Sequence, residues 1–82
     1  MSIKKIEIMY FAILREQSNK GVEEIETEAY SAGELFQELS QEYNFTLHPH
    51  QVRVSINENF QDMNSTIKDG DQIVFIPPVA GG

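Results

Sequence analysis

The chain has no cysteine. It therefore has no disulfide framework and offers no thiolate, so if it handles sulfur, no side chain carries it. Basic residues are scarce: 6 Lys and Arg stand against 13 Asp and Glu, a formal charge of −7. That balance argues against nucleic acid or an anionic membrane as partner and favours a basic protein surface. No apolar run approaches membrane-spanning length and Met1–Lys5 carries no signal-peptide pattern, which makes the cytoplasm the expected compartment. Repeats and low-complexity segments are also absent. With 82 residues there is room for one domain and one modest core.

What is present begins with alternation. From Ile3 to Phe11, Ile6, Ile8 and Tyr10 share one face and Lys5, Glu7, Met9 and Phe11 the other, which predicts a half-buried strand. Ala12–Glu16 loses the period and fits a helical turn, and Gln17–Gly21 reads as a polar loop. Val22–Glu28 is a weak acidic strand expected to pair back on the first. Ser31 and Glu34 have the spacing of a capping box. The helix behind it carries Leu35, Phe36, Leu39 and Tyr43 on one stripe, and Asn44 suits a left-handed end. Val52–Asn57 alternates again, Asn57-Glu58-Asn59 and Lys68-Asp69-Gly70-Asp71 are turns, and Gln72–Ile76 is the last strand. The order is strand, strand, helix, strand, strand: an α+β sheet with one face under one helix.

Two motifs invite a metal reading and fall short of it. His48-Pro49-His50 supplies two histidines without a third ligand nearby, so surface histidines are the better reading. Asp69-Gly70-Asp71 matches part of a calcium loop, but the remaining ligand positions are missing.

The uncovered face is unusual. It collects Met9, Phe11, Val74 and Ile76, with Phe60 at its edge, on an otherwise acidic protein. Such a patch reads as a partner site. It adjoins Pro77-Pro78-Val79-Ala80-Gly81-Gly82, because Ile76 directly precedes Pro77. The two prolines fix φ and start this segment extended. Side chains then shrink to Gly81 and Gly82, so the segment suits a narrow slot, and six extended residues reach roughly 20 Å. We therefore divide the chain into a folded body, 1–76, and an extended tail, 77–82. The α-carboxylate of Gly82 is the candidate reacting group. A carboxylate becomes a good acyl donor only as a mixed anhydride, and glycine leaves its carbon most open to an activating enzyme.

Tyr10-Phe11-Ala12-Ile13-Leu14-Arg15-Glu16, Lys68-Asp69-Gly70-Asp71 and the ending Ile76–Gly82 carry a resemblance. Together with the element order they resemble the ubiquitin-like β-grasp fold and, within it, the small sulfur-carrying subunits of molybdopterin synthase. The ending alone is similar to that of thiamine-pathway sulfur carriers. The resemblance implies that an adenylyltransferase related to ubiquitin-activating enzymes uses ATP and magnesium to adenylate Gly82. A sulfur donor such as a cysteine desulfurase then leaves a thiocarboxylate. The tail enters the large synthase subunit of a heterotetramer and gives sulfur to cyclic pyranopterin monophosphate. It further implies partner contacts at Phe11, Phe60, Ile76, Pro77, Pro78, Val79 and Ala80, with Gly81 and Gly82 at the chemistry. The small subunit is then no enzyme by itself, binds no cofactor and holds no metal. Thiazole or tRNA thiolation, or a ubiquitin-like protein modifier, are the alternatives, and His48 and His50 have no role in the resemblance.

Overall fold

The first strand sets the architecture. In β1 (Lys4–Tyr10), Ile6, Ile8 and Tyr10 are buried while Lys5 and Glu7 face water. The computed structural model describes residues 3–78, so the sequence readings on Val79, Ala80, Gly81 and Gly82 lie outside the described residues. The remaining strands are β2 (Val22–Thr27), β3 (Arg53–Ile56), β4 (Asn59–Gln61) and β5 (Gln72–Ile76), and the helices are α1 (Ala12–Ser18) and α2 (Ala32–Tyr43). Five strands form one mixed sheet in the order β2-β1-β5-β3-β4. β1 runs antiparallel to β2 and parallel to β5, while β3 is antiparallel to both β5 and β4. The parallel β1–β5 pair at the centre requires a crossover, and α2 lies within it.

Helix α2 starts where the sequence places it. Ser31 Oγ accepts the Glu34 N–H at 3.2 Å. Glu34 does not close the expected box on Ser31; its Oε1 accepts the N–H of Tyr30 at 3.0 Å. Leu35, Phe36 and Leu39 are buried against Ile6, Ile8, Val54, Ile73 and Phe75. Burying such a side chain contributes about 1.5–3 kcal/mol. Asn44 turns left-handed at φ 58 and ends the helix. Phe45 then folds back and stacks on Phe36, ring centres 5.5 Å apart, and Phe36 meets Phe75 edge-on at 5.2 Å.

Two elements exceed the sequence expectation. The helical turn at Ala12–Glu16 is a full helix to Ser18, and the polar loop begins only at Asn19. Leu14 anchors α1 in the core, and the Phe11 carbonyl accepts the N–H of Leu14 at 3.1 Å. The turn at Asn57–Glu58 is a two-residue hairpin with φ of 52 and 73. Positive φ at both positions matches the strand twist and brings Asn59–Gln61 back as β4. The sequence reading had four strands because β4 is three exposed residues with no alternation of its own.

The last turn is fixed by the same carboxylates that resemble part of a calcium loop. Asp71 accepts from the Lys68 N–H and from Asn57 Nδ2, both at 2.8 Å, and Asp69 accepts from the Lys5 N–H at 2.7 Å. Asn57 Oδ1 in turn accepts the Gln72 N–H at 2.9 Å. These bonds tie the β3–β4 turn to the start of β5. Gly70 turns at φ +90, where a side chain would be strained.

At the rim of the core, β1, β2 and α2 meet through one carboxylate. The Tyr10 hydroxyl donates to Glu23 at 2.5 Å, and the Tyr43 hydroxyl donates to it at 2.7 Å. Lys20 Nζ donates to it at 3.2 Å. Burial, then the Glu23 contact, pushes the Tyr10 phenol far above its ordinary range. Burial works against the charged form of Glu23, but the hydrogen bonds from Tyr10, Tyr43 and Lys20 outweigh it and hold its carboxyl below the usual value.

Candidate functional site: the open face and the root of the tail

The strand register aligns the residues that the sequence left without a core. Val22 pairs with Met9, Met9 with Val74, Val74 with Ser55, and Ser55 with Phe60. One row thus crosses all five strands on the face away from α2. Its two ends are open to water, Val22 at 54% and Phe60 at 67% exposure. Between them Met9, Ser55 and Val74 are half-buried, so the row is a largely apolar strip with two exposed ends, the kind of surface that marks an interaction site.

The row toward the chain's exit holds Arg53 opposite Ile76. Here a groove of about 410 Å³ is lined by Arg53, Phe60, Ile76, Pro77 and Pro78, with His50–Val52 closing one side. Pro77 is buried and Pro78 exposed, so the folded body grips the first residue of the tail and releases the second. The structure therefore brings together Phe60, Ile76, Pro77 and Pro78. It does not place Phe11 in that groove. Phe11 follows Tyr10, whose partner is Phe75, so it stands at the same end of the sheet as Ile76, 45% exposed. Ala12 beside it has a left-handed φ of 52.

Sequence reasoning missed Arg53. An outward arginine on an alternating strand reads as solvated, yet this guanidinium lies 5.9 Å from the centre of the Phe60 ring. Its only advance signal was register: it faces the residue before the proline pair. His48 and His50 stack on each other, ring centres 5.5 Å apart, beside a 3₁₀ turn at Pro49–Gln51. Among the described residues no group of three His, Cys, Asp or Glu is arranged to hold a metal. No helix there is long and apolar enough to cross a membrane.

A mixed sheet in this order, one long helix across it and a last strand running straight into a proline-led tail define a ubiquitin-like β-grasp protein. The same architecture is seen in a ubiquitin from Caldiarchaeum subterraneum, with a TM-score of 0.64 at 20% identity over 99% of this chain and 100% of that one. At that identity the likeness is one of fold. The chain belongs to the ThiS family, whose model matches residues 8–82. It is 32% identical over 81 residues to a molybdopterin synthase sulfur carrier subunit from Mycobacterium tuberculosis, covering 95% of this chain and 98% of the relative. A chain from the complex of subunits 1 and 2 of molybdopterin-converting factor of Helicobacter pylori superposes with a TM-score of 0.62 at 26% identity, over 95% of this chain and 99% of that one.

Proposed function

We propose that this protein is the sulfur carrier of a molybdopterin synthase and that Gly82 bears the sulfur. The reading rests on one observation above the others: the match to a protein named as such a carrier runs through nearly the whole of both chains. The groove supports it. Ile76 and Pro77 are seated in the body, which fixes the point where the chain leaves it. Prolines keep that start extended at small entropic cost, and small residues beyond them suit a narrow channel.

In this mechanism the Gly82 carboxylate attacks the α-phosphorus of ATP on an activating enzyme that supplies the magnesium, and pyrophosphate leaves. Sulfur at the sulfide level then attacks the acyl carbon, the bond to AMP breaks and a thiocarboxylate remains; where the donor is a persulfide, the acyl disulfide first formed is cleaved by a second thiol, which supplies the two electrons. The tail then enters the large synthase subunit, where sulfur passes to cyclic pyranopterin monophosphate away from bulk water. Phe11, Phe60 and Ile76 hold the partner, and this chain contributes no general acid or base. The whole cycle is cytoplasmic. Incubated with ATP, the activating enzyme and a sulfur donor, the protein gains the mass of one oxygen-to-sulfur exchange at its terminus. A variant lacking Gly82 gains nothing; retention of the exchange there overturns the reading. The ubiquitin-like fold favours one alternative, a modifier joined through Gly82 to lysines, and it would appear as higher-mass conjugates.

A further inference from the structure

The open face carries charge as well as apolar surface, and the register grades it. At the tail end stands Arg53, opposite Ile76. Next comes the row Val22–Met9–Val74–Ser55–Phe60. One row further, Glu24 pairs with Glu7 and Glu7 with Gln72. Gln72 Nε2 donates to Glu7 at 2.7 Å, which fixes that carboxylate on the face. Among the described residues the one ion pair joins Lys20 and Glu23. Arg53, Glu7 and Glu24 are all exposed, and among the described residues none of them joins an ion pair; Lys5, one row beyond and paired with Glu26, lines the same hollow as Glu7 and Glu24.

We propose that this face selects its partner by a charge register. It docks a protein surface that is apolar in the middle, sets a carboxylate against Arg53 and sets basic side chains against Glu7 and Glu24. The net charge of −7 calls for a basic partner. A uniformly basic surface, however, would be repelled at Arg53, which is paired with Ile76 at the root of the tail. A partner that receives the tail must cover that spot, so it needs a local acid there. The cation–π contact with Phe60, 5.9 Å from the ring centre, biases the guanidinium toward the apolar row. Charges of opposite sign in the two rows that flank the apolar one also fix one orientation, since a partner docked the other way round meets like charges. The tail then enters in one direction only. This assignment rests on the carrier reading, with the large synthase subunit as the partner.

The test is calorimetric titration of the cognate large subunit with Arg53→Glu, Arg53→Lys and the double variant Glu7→Lys/Glu24→Lys, each first checked for an unchanged thermal transition. Arg53→Glu weakens binding at least about tenfold and Arg53→Lys only a few-fold. The double variant binds more weakly, and its affinity loses much of its salt dependence. Native affinity in Arg53→Glu overturns the charge register. The same Arg53→Glu protein is assayed for thiocarboxylate formation at Gly82. If the native protein forms none, the carrier reading itself fails; if it forms thiocarboxylate but Arg53→Glu binds normally, only the register fails.

Discussion

The two faces of this sheet are built from the same strands by alternate residues. On the helix side, Ile6, Ile8, Val54, Ile73 and Phe75 are buried. On the open side their neighbours are Glu7, Met9, Ser55, Val74 and Gln72, half-buried or exposed. The first set answers to packing alone. The second mixes apolar and charged groups in register, and the proposed partner site rests on that mixture. The sharpest way to break the comparison is to truncate one aromatic from each face. Phe75→Ala opens a cavity against Phe36 and should cost about 3–5 kcal/mol, read from urea denaturation. Phe60→Ala should change stability by less than about 0.5 kcal/mol. Its effect falls on partner affinity, a loss of about 2 kcal/mol if Phe60 is an anchor. Equal loss of stability in both variants would erase the distinction between the faces.

The rim of the core tests the helix side with charge instead of volume. Tyr10→Phe keeps the ring and removes one donor from Glu23, which Tyr43 and Lys20 still serve, so the cost should be about 1–2 kcal/mol. The pH dependence follows from the directions of the two shifts. Glu23 lies below its ordinary 4.5, so its contribution is present above that value and is lost as pH falls through its lower folded value. Tyr10 lies above its ordinary 10.0, so its contribution is present below that pH and declines as the unfolded chain ionises above it. Glu23→Gln should flatten the acid limb of a stability–pH curve measured by denaturation. An unchanged acid limb would show that other carboxylates govern it.

The helix side was the more legible in sequence, for a physical reason. Period-two runs in β1, β3 and β5 and the apolar stripe of α2 are produced by burial on one face, and burial is what periodicity reports. Elements held by something else were harder to see. α1 begins at a left-handed alanine and has no side-chain cap, so it lacks a start signal. β4 exists because Asn57 and Glu58 take positive φ, and Asn-Glu lacks the glycine that usually announces such a turn. Ile67, 1% exposed, reaches the core from a segment with no period. On the open face, Phe60 stood out as an aromatic without a core position. Arg53 did not, because its significance lies in what the register sets opposite it.

The smallest effects sharpen the comparison most finely, at two strained positions. Ala12 and Glu58 adopt φ of 52 and 73, where a Cβ costs roughly 1–2 kcal/mol. Glycine removes that cost but adds freedom to the unfolded chain, so Ala12→Gly and Glu58→Gly should each raise stability by no more than about 1 kcal/mol. The two differ in what lies beside them. Glu58 sits in the hairpin turn, and its relief should leave partner binding unchanged. Ala12 follows Phe11 directly, and its constrained backbone fixes the direction in which that exposed ring leaves β1. Ala12→Gly should therefore stabilise the fold while weakening partner affinity a few-fold, measured by calorimetry on both variants. Equal affinities would assign the left-handed alanine to the start of α1 alone and leave Phe11 to be positioned by β1.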